Sequence, residues 1–231
     1  MLNVSDLTVG HNGNPLLTDV SFSVAGGELV WLRGPSGSGK TTLCMSIAGY
    51  MPPLSGSIGI DGRVLSGNSS KRQPYPIQYI GQHPELMLDP RMRMRESLRE
   101  AGMLSDVDPL GGEPHSDHGH SHRHDFADIS EEQESLLAHL GIRHEWLDRY
   151  PNELSGGEMQ RFCIARALFA KPRYLICDEI STMLDALTQA RLWHVLIDEA
   201  DARDMGVIFT THSDSLGEIV ATRTLDISCW I

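Results

Sequence analysis

Apolar and polar residues alternate along LNVSDLTV (2–9) and again along LTDVSFSV (17–24), with HNGNP between them. A period of two marks half-buried strands, and Asn and Gly in the gap favour a tight reversal. GELVWLRG (27–34) is a short apolar run, predicted as a strand, that enters a glycine-rich stretch. KTTLCMSIAGY (40–50) switches to helical spacing, with Gly49 placed to end the helix. SGSIGIDGRVL (55–65) reads as a hairpin turning at Asp61-Gly62, and PIQYIGQ (76–82) as a strand. Helical spacing returns from Met92 to Ala101. SEEQESLLAHLG restarts a helix behind a capping box of Ser130 and Gln133. A helix from Gly157 to Ala170, a strand RYLICDE, a helix from Leu187 to Ala202, a strand GVIFTTH and a last strand near Leu225 complete the series.

Strands that alternate with helices imply an α/β fold with a mostly parallel sheet. The N-terminal strands read as an antiparallel subdomain, and the middle third, about 84–160, as an inserted helical lobe. The whole chain, 1–231, is read as one domain. Inside the lobe, 104–128 carries Asp, Pro, Gly, His and Ser with few apolar anchors and is expected to be a mobile loop.

Composition narrows the classes. Hydrophobic residues at 40% are enough for a real core, and a net charge of -12 argues against a nucleic-acid partner, which calls for a basic face. The N-terminus lacks the pattern of a signal peptide, and no apolar run approaches the ~20 residues that cross a bilayer. Cys44, Cys163, Cys177 and Cys229 form no CxxC pair and sit among apolar neighbours, so all four are expected to be buried free thiols in a reducing compartment.

Chemistry enters with GPSGSGKTT, residues 34–42, which matches GxxxxGK[ST] between a predicted strand and helix. Gly34, Pro35, Ser36, Gly37, Ser38 and Gly39 form a loop whose backbone N–H groups can close around phosphate oxygens, aided by the helix N-terminus. Lys40 would hold the β- and γ-phosphates, the Thr41 hydroxyl would ligate Mg²⁺, and Thr42 completes the motif. YLICDE ends an apolar strand in two acids. Asp178 can hold Mg²⁺, and Glu179 can act as general base on the attacking water. LSGGEMQR (154–161) opens a helix with Ser155, Gly156 and Gly157, a second anion site with no local use unless it faces the nucleotide of another subunit.

With these three motifs in this order, the chain resembles the ATP-binding cassette ATPases of ABC transporters over nearly its whole length. The resemblance implies a P-loop NTPase core that uses ATP and Mg²⁺. It also implies that Gln82 senses Mg²⁺ and the lytic water, that His212 contacts the γ-phosphate ahead of a short helix, and that Leu184-Asp185 ends a loop linking the two sites. The aromatic residue that stacks on adenine in the family is replaced by His11.

RYPNELSGGEMQR, LDPRMRMRESLREAG and LDALTQARLW look like the dipeptide, oligopeptide and nickel importer branch. That likeness implies two membrane-spanning permease subunits, a second ATPase subunit (a copy or a paralogue), an extracytoplasmic binding protein, and a place at the cytoplasmic face of the membrane. Arg91, Arg93, Arg95 and Arg99 lie on the segment that would face the permease, or form a solvated basic face.

Two other readings are a soluble cassette ATPase acting on DNA or the ribosome, and a metal sensor in which the cassette only regulates. The first class usually carries tandem cassettes or long coiled coils, and the second does not need Lys40 and Glu179 intact. One tract is left over. HSDHGHSHRHD (115–125) holds five of the eleven histidines, His115, His118, His120, His122 and His124. It is either a solvated linker or a buffer for nickel, zinc, copper or cobalt beside a metal importer.

Overall fold

The computed structural model describes residues 1–65, 76–103, 129–182 and 184–231. The expected loop 104–128, with its histidine tract, lies outside the described residues.

β1 (Leu2–His11) pairs antiparallel with β2 (Asn14–Val24) and, on its other edge, with β4 (Ser55–Ile60), which continues into β5 (Arg63–Val64). Both hairpins turn through two residues with positive φ, Asn12-Gly13 and Asp61-Gly62. That backbone matches the strand twist, and Asn, Asp and Gly tolerate it.

The second sheet is parallel, in the order β6 (Ile77–Ile80), β7 (Tyr174–Asp178), β8 (Gly206–Thr210), β3 (Leu29–Arg33), β9 (Arg223–Asp226). Its side chains alternate between two cores, as the pleat demands. Trp31, Leu175, Cys177, Val207 and Phe209 point into a core shared with the helical side. Val30, Leu32, Ile176 and Ile208 point into one shared with α1 (Lys40–Ile47) and the antiparallel sheet. With both faces covered, β7 and β8 are buried at every position. This is why their sequences read as unbroken apolar runs.

On the helical side lie α2 (Met94–Met103), α3 (Glu131–His139), α4 (Gly156–Phe169) and α5 (Ala186–Ala202), with a short α6 (Asp214–Val220) after β8. The capping box predicted for α3 is present. α2 begins two residues later than its pattern predicts. The Met94 and Arg95 N–H groups donate to the Arg149 and Leu147 carbonyls at 3.0 and 2.8 Å. These first-turn donors have no partner within the helix, and the neighbouring segment supplies one. Among the described residues no helix is long and apolar enough to cross a membrane.

The cysteine expectation needs one correction. Cys44, Cys163 and Cys177 are buried, but Cys229 is exposed. The 3-10 turn Ile227–Trp230 directs Ile227 inward and leaves Cys229 facing solvent. Burial pushes the Cys163 thiol up to about 12 and those of Cys44 and Cys177 well above their ordinary value, so these three are inert.

Candidate nucleotide site

Every motif of the phosphate chemistry leaves the C-terminal edge of the parallel sheet. The glycine-rich loop follows β3, Asp178 ends β7 with Glu179 next, Thr210 ends β8 with His212 just beyond, and Gln82 follows β6. Parallel strands bring their outgoing loops together at one edge, which is where open α/β sheets bind ligands.

The loop from Gly34 to Gly39 needs its glycines for different reasons. A Cβ at Gly34 would lie 2.6 Å from Ile227, so nothing larger fits. Gly37 and Gly39 have φ of +77° and +96°, a conformation L side chains rarely adopt. Ser38 bonds back to the Pro35 carbonyl through its N–H and its hydroxyl. Lys40 is buried, and its Nζ donates to the carbonyls of Gly34 at 2.7 Å and Pro35 at 2.9 Å, which holds the ammonium along the loop. Pro35, Ser36, Gly37 and Thr41 are exposed at its mouth, while Thr42 is buried. The β1–β2 hairpin lies alongside. His11 Nε2 is 3.1 Å from the Thr42 hydroxyl, which ties the first turn to α1.

Asp178 is 3% exposed. Its Oδ1 accepts from Thr210 Oγ1 at 2.6 Å and its Oδ2 from the Tyr79 phenol at 3.1 Å. Burial and the Asp178 charge push the Tyr79 phenol up, so it stays a donor. Among the described residues no cation pairs with Asp178. Burying a carboxylate beside neutral hydroxyls alone is costly, and a cation at its open side would offset that cost. These oxygen donors suit a hard cation such as Mg²⁺, which Asp178 and Thr41 would hold.

Glu179 has φ of +56°, outside the comfortable range for a non-glycine residue. Its neighbours pin it. The N–H donates to Thr210 Oγ1 at 3.1 Å, and the carbonyl accepts from the Thr182 hydroxyl at 3.1 Å. The carboxylate is 13% exposed, with Oε1 at 2.7 Å from His212 Nε2. The structure thus brings Glu179 and His212 into contact, while Gln82 is exposed beyond β6.

Ser155 caps α4 in a second capping box, accepting from the Glu158 N–H while its own N–H donates to the Glu158 carboxylate. That backbone bond holds the Glu158 carboxyl below its ordinary value. A Cβ at Gly157 would lie 3.1 Å from Leu184, so the serine-glycine turn packs on the Leu184-Asp185 loop. Asp185 caps α5 through the Leu187 and Thr188 N–H groups. Ser155, Gly156, Gly157 and Asp185 line one open hollow together with Arg143 and Arg161. It lies on the surface of this chain and does not include the glycine-rich loop.

The basic segment is engaged with the chain itself. Arg91 pairs with Asp89 and draws its carboxyl down to about 2. Arg95 grips the Asp148 carboxylate, and Arg93 donates to the Asp148 carbonyl and lies over the Tyr150 ring. Tyr79 and Thr210, the partners of Asp178, were not signalled by any motif, since their role depends on strand order.

The loop, the acids at the strand ends and the buried cation-ready carboxylate define a P-loop nucleotide-binding domain. The family described as ABC transporter matches residues 17–182, and the chain belongs to that family. A Brucella ovis protein named as a peptide import ATP-binding protein is 32% identical over 91% of this chain and 62% of its own length. The oligopeptide transport ATP-binding protein OppF of Haemophilus influenzae is 31% identical over 90% of this chain and 59% of its own. The chain thus spans about six-tenths of the length of these relatives. A solved ATP binding subunit of an ABC transporter is 27% identical, covers 98% of this chain and 86% of its own, and superposes with a TM-score of 0.75.

Proposed function

We propose that the chain binds ATP with Mg²⁺ and hydrolyses it, as the ATP-binding subunit of an importer at the cytoplasmic face of a membrane. The convergence of the Lys40 loop, Asp178, Glu179 and His212 on one sheet edge carries this reading. Lys40 and the loop N–H groups neutralise phosphate oxygens. Glu179 takes a proton from the water that attacks the γ-phosphorus, ADP leaves, and His212 steadies the Glu179 carboxylate. Asp178 and Thr41 would hold Mg²⁺, which lowers the charge on the phosphates, and Gln82 would sense it. His11 lies beside the loop and would contact the base. Two copies, or one copy and a paralogue, close head to tail, so that Ser155 and Gly157 of one meet the nucleotide of the other. The surface position of the Ser155 hollow, apart from the chain's own phosphate loop, supports that arrangement. Two permease subunits and an external binding protein complete the transporter, and the two named relatives favour peptides as its cargo.

The test is Mg²⁺-dependent phosphate release by the purified chain, with sizing of Glu179→Gln in the presence and absence of Mg-ATP. Nucleotide is expected to double the mass of the variant. A chain that hydrolyses ATP but stays monomeric in this test overturns the homodimer and makes the second subunit a paralogue.

A metal cargo is favoured by one observation, the five histidines between His115 and His124. Neutral imidazoles near pH 7 bind nickel, zinc, copper and cobalt. Calorimetric titration with Ni²⁺ and Zn²⁺ is expected to show binding that disappears when these histidines become serine. Equal binding by both proteins, or none below millimolar metal, leaves the tract a linker and peptides the better cargo.

A further inference from the structure

Strand β6 sends one polar side chain into the core on the α1 side. Tyr79 is 8% exposed, packs among Ile77, Ile176 and Cys44, and spends its only proton on Asp178 Oδ2 at 3.1 Å. On the opposite flank, the register of β7 and β8 sets Thr210 beside Asp178, and its hydroxyl reaches Oδ1 at 2.6 Å. One donor restrains one oxygen and still lets a carboxylate swing about its terminal torsion, which is broad. Two donors, from the two strands flanking β7, remove that freedom. The Thr210 oxygen also accepts the Glu179 N–H at 3.1 Å, so the same network reaches the residue read as the base.

The Tyr79 ring is itself held on two sides. Tyr50 lies against it with ring centroids 5.5 Å apart. A Cβ at Gly81 would fall 3.1 Å from its Cε1 and 3.2 Å from its hydroxyl. The ring therefore rests on the bare backbone immediately before Gln82.

We propose that Tyr79 is a positioning residue for Mg-nucleotide, fixing the Asp178 carboxylate in the rotamer that receives the cation, with Gly81 as the glycine that lets the ring reach it. This rests on the reading of the chain as an Mg-ATP binder. The sign of the effect separates positioning from simple charge. A carboxylate relieved of a donor attracts a cation more strongly, so a purely electrostatic role predicts tighter Mg-nucleotide binding without the phenol. A positioning role predicts weaker binding.

The measurement is the dissociation constant of a fluorescent ATP analogue in EDTA and in Mg²⁺, for the parent chain and Tyr79→Phe, with thermal melts of both. In Tyr79→Phe the EDTA value is expected to stay within about twofold, while the gain in affinity on adding Mg²⁺ falls roughly tenfold, the scale of one hydrogen bond to a charged group. Gly81→Ala, which keeps the hydroxyl and displaces the ring, is expected to lower the Mg²⁺ gain in the same direction and to add little in the Tyr79→Phe background. An unchanged or increased Mg²⁺ gain in Tyr79→Phe overturns the proposal. So does an equal loss in EDTA and in Mg²⁺, which marks a structural role, and so do additive effects of the two substitutions. A parent chain that binds no analogue overturns the underlying reading instead, and this proposal with it.

Discussion

Glu179→Gln is expected to cut ATP turnover by about 10²- to 10⁴-fold, the usual worth of a positioned general base. Nucleotide affinity is expected to change by no more than about threefold, well under the ~1.4 kcal/mol that corresponds to tenfold. The reason lies in what glutamine keeps. It has the volume of glutamate, and its amide oxygen can accept from His212 Nε2 across the 2.7 Å now bridged by the carboxylate. The strained backbone at φ +56° is anchored through its own N–H and carbonyl, by Thr210 and Thr182, and the substitution leaves both bonds in place. Only the capacity to take a proton from water is lost. Steady-state phosphate release and equilibrium nucleotide binding on the same preparation check this. Turnover near that of the parent removes Glu179 from the role of base.

Lys40→Met gives the opposite profile. The Lys40 ammonium is held along the phosphate loop by the Gly34 and Pro35 carbonyls. Methionine fills most of the stem's volume but brings neither charge nor donor. ATP affinity is expected to fall by about 10- to 100-fold, the range of a lost hydrogen bond to a charged group, and hydrolysis to fall with it. Equilibrium binding of labelled ATP measures the first and phosphate release the second. Affinity within twofold of the parent means that the loop backbone alone holds the phosphates.

Much of this site is legible in the chain because each motif is contiguous. GPSGSGKTT spells a loop whose geometry its own glycines dictate, and the apolar run of YLICDE announces a strand covered on both faces. The contacts between motifs are a different matter. Tyr79 meets Asp178 because β6 lies beside β7, and Thr210 meets it because β8 lies on the other side. Alternation of apolar residues carries no information on which strand neighbours which. The pairing of His212 with Glu179 is hidden for the same reason. Helical spacing overruns the start of α2 by two residues, since the first N–H groups of the helix donate to Leu147 and Arg149, about fifty residues further along. The apolar neighbours of Cys229 suggest a core, but a strand would set residues 227 and 229 on one face, whereas a 3-10 turn of three residues per turn points them in different directions.

The contact between Gly34 and Ile227 bears on how the chain is made. The phosphate loop leaves the ribosome early, yet the residue that buttresses it follows about two hundred positions later, after β9 has joined the edge of the sheet. Contacts so distant in sequence form late, because the intervening chain must first be ordered. A nascent cassette therefore carries a complete nucleotide motif before the side chain that backs Gly34 is in place. Full affinity for nucleotide is therefore expected to mature only once Ile227 has been made and β9 has joined the sheet, later than the motif itself.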